Sequence, residues 1–336
     1  MPAILEVDNL VKKYGDFEAV GGVSFSVEQG EVFGLLGPNG AGKTQTISML
    51  TGVIPPTAGT ARIGGFNIRT QMDQVKKING LVPQDLALYP TLSARSNLNF
   101  FGRIYGLRGR ELKERVEDVL RVVALTDRAD QAVDKYSGGM KRRVNIAAGL
   151  IHHPRLFFLD EPTVGVDPQS RNHIFESVQR LNRERGMSIV YTSHYMEEVE
   201  LLCNRVAIID QGKIIAIDTI KNLIAMLGGG VIQVGLPRVD DEILGDLARL
   251  PAVSEATLVP QPVLPPAGED QEPQAAERPP VSTEMLVKVV AKNSQEAIVN
   301  VINYLNQHDL NLSSLEILEP NLESVFLHLT GKKLRE

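Results

Sequence analysis

The sequence is poor in several residue types. It has one cysteine, Cys203, and no tryptophan, and aromatic residues make up 5% of its 336 positions. A single cysteine excludes an intrachain disulfide and reads as a small buried hydrophobe in a reducing compartment. No apolar run approaches the ~20 residues that a membrane-spanning helix needs. The opening stretch MPAILEVDNL has no basic segment leading into an apolar core, so no secretory signal is expected. These absences predict a soluble, cytoplasmic chain with no membrane span of its own. Basic charge is also scarce. The 35 Lys and Arg stand against 41 Asp and Glu, a net charge of −6, which argues against nucleic acid as a partner.

The charge deficit is uneven along the chain. Residues 1–225 carry 27 basic and 25 acidic side chains, whereas residues 226–336 carry 8 and 16. Such a break predicts a domain boundary near 225. Before it, short apolar runs at Val32–Leu36, Leu156–Leu159, Ser188–Thr192 and Val206–Ile209 alternate with helical patterns at Thr44–Leu50, Pro168–Leu181 and Tyr195–Leu202. That alternation predicts an α/β domain with a mostly parallel sheet, whose strand ends carry the ligand site. A helical lobe, about 85–152, is predicted as an insertion. After 225 the pattern reads strand, helix, strand, strand, helix, strand, the order of a ferredoxin-like α+β domain. A Pro-rich segment at about 260–283 reads as a disordered hairpin tip. A last apolar-faced helix is predicted over Leu322–Leu329, stopping at Gly331.

The strongest motif is GPNGAGKT at Gly37, Pro38, Asn39, Gly40, Ala41, Gly42, Lys43 and Thr44. It fits G-x-x-x-x-G-K-[ST] and lies between a predicted strand and a predicted helix. Glycines let the backbone approach phosphates, Lys43 can reach the β- and γ-phosphates, and Thr44 can ligate Mg²⁺. LFFLDEP places Asp160 and Glu161 at the end of a buried strand, where one carboxylate can serve Mg²⁺ and the other can deprotonate water. Gln84 and His194 follow β-rich runs, and each could equally be a strand-end residue. Asp167 precedes Pro168 and could simply cap a helix. YSGGM at Tyr136–Met140 opens a helix with small residues, a favourable place for an anion.

Taken in order, the phosphate loop, Gln84, YSGGM, LDEP, Asp167 and His194 resemble the ATP-binding subunits of ABC transporters over about two-thirds of the chain. The resemblance implies a dimer of ATPase domains paired head to tail, formed with a second copy or a paralogous subunit. Each ATP then lies between the phosphate loop of one subunit and Ser137, Gly138 and Gly139 of the other. It further implies that Asp160 supports Mg²⁺, that Glu161 acts as the base, and that His194 senses the γ-phosphate. Gln84 would touch Mg²⁺ or the attacking water. Tyr14 would stack on adenine, although its ring could equally be core packing, and Asp167 would lie at the dimer interface.

Two departures stand out: Tyr136 and Met140 flank the Ser-Gly-Gly, and Gln45 stands where Ser or Thr is common. Neither removes a phosphate-facing group. SGGMKRR and the tail EPNLESVFLHLTGK resemble the drug-resistance-type exporters, whose multi-spanning permease is a separate chain. That implies a position on the inner face of the cell membrane, held there by the permease. The competing reading is a soluble ABC ATPase acting on the ribosome or DNA, but such proteins usually carry two ATPase domains or long coiled coils. A GTPase would need an N-K-x-D motif, and none is found.

Overall fold

The computed structural model describes residues 2–227, 229–259, 285–318 and 320–330. The expected Pro-rich tip at 260–283 and the Gly331 stop lie outside the described residues. Two compact units are present. One comprises residues 2–223 together with 326–330, and the other residues 224–325.

The first unit is built on two sheets. The six-stranded sheet runs in the order Lys213–Thr219, Arg205–Asp210, Val32–Leu36, Ser188–Ser193, Leu156–Asp160, Asn79–Val82. Only the first pairing in that order is antiparallel. All five residues of Val32–Leu36, all five of Leu156–Asp160 and all six of Ser188–Ser193 are buried. Central parallel strands are covered on both faces, which is why these runs are apolar without alternation. An antiparallel sheet formed chiefly by Ala3–Tyr14 and Phe17–Glu28 packs its apolar side chains with the phosphate-loop helix. Val7, Val23, Leu35, Ile47 and Phe158 share one core.

The helical lobe contains Ala94–Ile104, Gly109–Val122 and Gly138–Leu150. Leu98, Leu112, Val116 and Val144 fill its interior, and helix Pro168–Arg185 adds Ile174 and Val178 to the same core. Burying each such side chain contributes roughly 1.5–3 kcal/mol. Ser93 caps the first of these helices, its hydroxyl accepting from Ser96 N at 3.1 Å.

The second unit has a four-stranded antiparallel sheet in the order Val253–Leu258, Met285–Ala291, Val231–Leu236, Ser314–Leu318. With helices Asp241–Arg249 and Ser294–Gln307 between strands, this is the ferredoxin-like arrangement. Alternate residues Ile232, Val234, Val287 and Val289 point to one face and pack with Leu247, Val301 and Leu305. Asn293 caps the second helix by accepting from Gln295 N and Glu296 N.

The chain end differs from the sequence reading. Everything after 225 was expected in one accessory domain, yet residues 326–330 group with the first unit. Leu322, Val325 and Phe326 are buried, so the apolar face of helix Leu322–Thr330 is covered. Its periodicity marks a face without marking which surface covers it.

Candidate nucleotide site

The phosphate loop follows the buried strand Val32–Leu36 and ends in helix Lys43–Leu50. Gly42 takes a left-handed φ of 103°, and a Cβ there would meet Ala19 O at 2.8 Å, so glycine is required. This helix start has no side-chain cap and no acidic residue in its first turn. Its first N–H groups are therefore open to an anion. The loop opens onto a cleft of about 430 Å³ lined by Tyr14, Phe17, Ala19, Asn39, Gly40, Ala41, Gly42, Lys43, Thr44, Gln45, Gln84 and Glu161. Gly37 and Pro38 are not part of that lining. Their carbonyls instead accept from Lys43 Nζ at 2.6 and 3.0 Å.

Glu161 is the point of convergence. It is 5% exposed, and Lys43 Nζ is 3.0 Å from its Oε1. Gln84 Nε2 donates to Oε2 at 3.5 Å, and His194 Nδ1 stands 3.3 Å from Oε2 without a hydrogen bond. Its backbone sits at a φ of 45°, a left-handed conformation uncommon outside glycine. The Glu161 N–H donates to Thr192 Oγ1 at 2.9 Å, and that hydroxyl donates to Asp160 Oδ1 at 2.7 Å. Asp160 is buried beside Thr44. Burial pushes its carboxyl up, against hydrogen bonds from Thr192 and Thr44 and the charge of Lys43. Thr192 links the Glu161 backbone to the Asp160 carboxylate and was missed in the sequence, where a Thr inside a β-rich run carries no signal of its own.

Among the described residues no cage of three or more His, Cys, Asp or Glu is formed. One hydroxyl and one carboxylate side by side are nonetheless the donor set that suits Mg²⁺, which takes its remaining ligands from phosphate and water. At the cleft's outer end, Tyr14 Oη donates to Gln45 Oε1 at 2.8 Å, and Lys12 Nζ lies 4.9 Å from the Tyr14 ring centre. The Tyr14 ring is half exposed.

Ser137, Gly138 and Gly139 do not line this cleft. They gather elsewhere, with Asp167. Ser137 caps helix Gly138–Leu150, its hydroxyl accepting from Met140 N at 3.2 Å. Ser137 and Gly138 are exposed, whereas Gly139 is buried. A Cβ on Gly139 would collide with Ser170, and on Gly138 it would meet only Gly165 O at 3.9 Å. Asp167 is exposed and caps helix Pro168–Arg185 by accepting from Ser170 N at 2.9 Å. That bond, the first of several, holds its carboxyl below the usual range.

A family model described as ABC transporter matches residues 20–164. The chain is 44% identical to the linearmycin resistance ATP-binding protein LnrL of Bacillus subtilis (strain 168), over 99% of this chain and 100% of that one. It is 35% identical to the daunorubicin resistance ATP-binding protein DrrA2 of Streptomyces coeruleorubidus, over 98% and 95%. It is 37% identical to the Nod factor export ATP-binding protein I of Ralstonia nicotianae, over 99% and 95%. The solved structure of cbiO1 from Clostridium perfringens, described as part of an ABC transporter complex, superposes with a TM-score of 0.62 at 28% identity. That match covers 67% of this chain and 92% of that one. Identity spread over the full length of such relatives, on a cleft already shaped for a nucleotide's phosphates, places this chain in the ABC transporter family as an ATP-binding subunit.

Proposed function

We propose that the chain hydrolyses ATP to drive export through a separate membrane permease. The observation that carries this reading is the convergence on Glu161, a buried carboxylate at the cleft floor within reach of Lys43, Gln84 and His194. ATP binds with its phosphates on the uncapped helix start and on Lys43, and Tyr14 stacks on the base. Thr44 and Asp160, with Gln84, would hold Mg²⁺, which supplies positive charge to the phosphate oxygens when bound. Glu161 takes the proton of the attacking water, Gln84 orients that water, and His194 holds the γ-phosphate. Ser137 and Gly138 lie on a different surface and cover the nucleotide of a second subunit, joined by the backbone N–H of Gly139. Asp167 lies at that same subunit boundary. The pairing is head to tail and completes two sites at once.

Among the described residues no helix is long and apolar enough to cross a membrane. We infer that the permease is a separate chain, with the subunit against it at the inner membrane face; the match over 100% and 95% of the length of the ATP-binding proteins LnrL and DrrA2 supports this. The docking surface is the exposed aromatic pair Tyr89 and Phe100, which meet edge to face at 4.9 Å, whereas the half-exposed Tyr105 ring stacks on His152. Phe101 is only partly exposed and packs against the lobe core. The names of the relatives, linearmycin and daunorubicin resistance and Nod factor export, support export as the direction. The test is co-purification of the tagged chain with a multi-spanning membrane protein, followed by Mg²⁺- and ATP-dependent transport in vesicles. Lys43→Ala should abolish that transport. Transport that persists in Lys43→Ala, or a chain that hydrolyses ATP but recovers no membrane partner, overturns the reading.

A further inference from the structure

Glu198 lies in helix Met196–Leu202 and is 3% exposed, outside the nucleotide cleft. Three hydroxyls donate to its carboxylate. Thr163 Oγ1 is 2.7 and 2.9 Å from its two oxygens, Tyr191 Oη 2.9 Å and Ser193 Oγ 3.0 Å. Arg171 Nε stands 3.8 Å away. A carboxylate this deep in the protein is costly unless donors and a cation surround it, and here they do.

The donors come from a telling set of segments. Thr163 belongs to the turn directly after Glu161. Tyr191 and Ser193 lie on the strand that leads into His194. Arg171 lies in the helix that Asp167 caps. Ser193 Oγ also accepts from Tyr195 N at 2.9 Å, so hydrogen bonds close on both sides of His194. The His194 and Tyr195 rings are 4.0 Å apart, and the Arg171 guanidinium stands 5.6 Å from the Tyr195 ring centre. One buried carboxylate thus ties together the three segments that carry Glu161, Asp167 and His194.

We propose that Glu198 is a positioning residue for hydrolysis. It fixes the turn after Glu161 and the backbone on either side of His194, so that the imidazole and the carboxylate stay 3.3 Å apart. The proposal rests on the reading of Glu161 and His194 given above. Glu198 contacts neither the phosphate loop nor Tyr14, so ATP binding does not depend on it.

The test uses the full chain, with steady-state hydrolysis of Mg-ATP and binding of a fluorescent ATP analogue measured in parallel. Glu198→Gln keeps the shape but replaces one acceptor oxygen with a donor. Its kcat should fall about tenfold or more, because small misplacements near reacting atoms are expensive, while KM and analogue binding change less than about twofold. Placed on His194→Ala, which lowers kcat by itself, the same change should cost less than about threefold more, since residues acting as a unit are not additive. A purely structural role would instead lower kcat by the same factor in both backgrounds. Ser193→Ala removes one of the three donors and the acceptor for Tyr195 N. It should reproduce the kcat loss in milder form, and it stands in for Glu198→Gln if that variant does not fold. Unchanged kcat in the folded variants, or full additivity with His194→Ala, overturns the proposal. If His194→Ala alone keeps the wild-type rate, what falls is the role of His194, and the proposal falls with it.

Discussion

Glu161→Gln changes two things in the cleft, and they can be separated by magnitude. The first is chemical. An amide cannot take a proton from water, so hydrolysis should fall by roughly 10²–10⁴, a barrier increase of about 3–5 kcal/mol. The second is structural. Lys43 loses its anionic partner at 3.0 Å, inside a pair whose members are 4% and 5% exposed. Breaking such a pair outright costs about 3–5 kcal/mol. Here Lys43 keeps the carbonyls of Gly37 and Pro38, and the glutamine oxygen can still accept from it. The loss is then nearer about 1–3 kcal/mol, and each kcal/mol lowers the melting temperature by about 2–4 °C in a domain of this size. ATP brings phosphate charge to Lys43, so adding nucleotide should restore much of that shift. Phosphate release, a melting curve with and without ATP, and size-exclusion chromatography in Mg-ATP measure the three effects. The expected result is negligible hydrolysis, a nucleotide-dependent melting shift larger than in the wild type, and an ATP-bound dimer. Wild-type hydrolysis would refute Glu161 as the base. A variant that retains ATP yet stays monomeric would refute the placement of Ser137 on a neighbour's nucleotide.

Four further outcomes are expected. Adding Ser137→Arg to Glu161→Gln should leave each subunit able to bind ATP but eliminate the dimer on the same column. Thr192→Val should leave the Glu161 N–H buried without a partner, at a cost of about 1–3 kcal/mol in urea denaturation. It also removes a hydrogen bond that opposes the upward push of burial on Asp160, so the acid limb of the pH–rate profile should move to higher pH. Tyr14→Ala should raise KM for ATP with little change in kcat, by the roughly 1–3 kcal/mol that one base–aromatic stack contributes. Tyr89→Glu or Leu86→Glu, both at exposed positions, should uncouple vesicle transport while leaving ATP binding intact.

The order of strands and helices in the first unit was legible because each segment states its own burial. Val32–Leu36 and Leu156–Leu159 are apolar throughout, and both lie inside the parallel sheet. The phosphate loop was legible because its glycines and Lys43 are contiguous. Contacts made by distant residues were not. Thr192 is 31 and 32 positions from Glu161 and Asp160, whose backbone N–H and carboxylate it bonds, and only the parallel pairing of Leu156–Asp160 with Ser188–Ser193 brings it there. Glu198 is hidden in the same way, because all four of its partners lie outside its own helix and Glu in a helical pattern usually faces water. The covering of the terminal helix was out of reach because an apolar face names no surface to cover it.

Gly138 and Gly139 are adjacent, but they answer to different constraints. Gly139 is hemmed in by Ser170 of its own chain, whereas Gly138 has open space before it. In a substitution scan scored by protein abundance, side chains at 139 should be depleted and those at 138 tolerated. Scored by ATP turnover, both positions should fail. The neighbouring pair therefore works as an internal calibration. Divergence of the two scores at Gly138 would assign its loss to something other than folding, as contact with a second subunit requires, and agreement at Gly139 would assign its loss to folding.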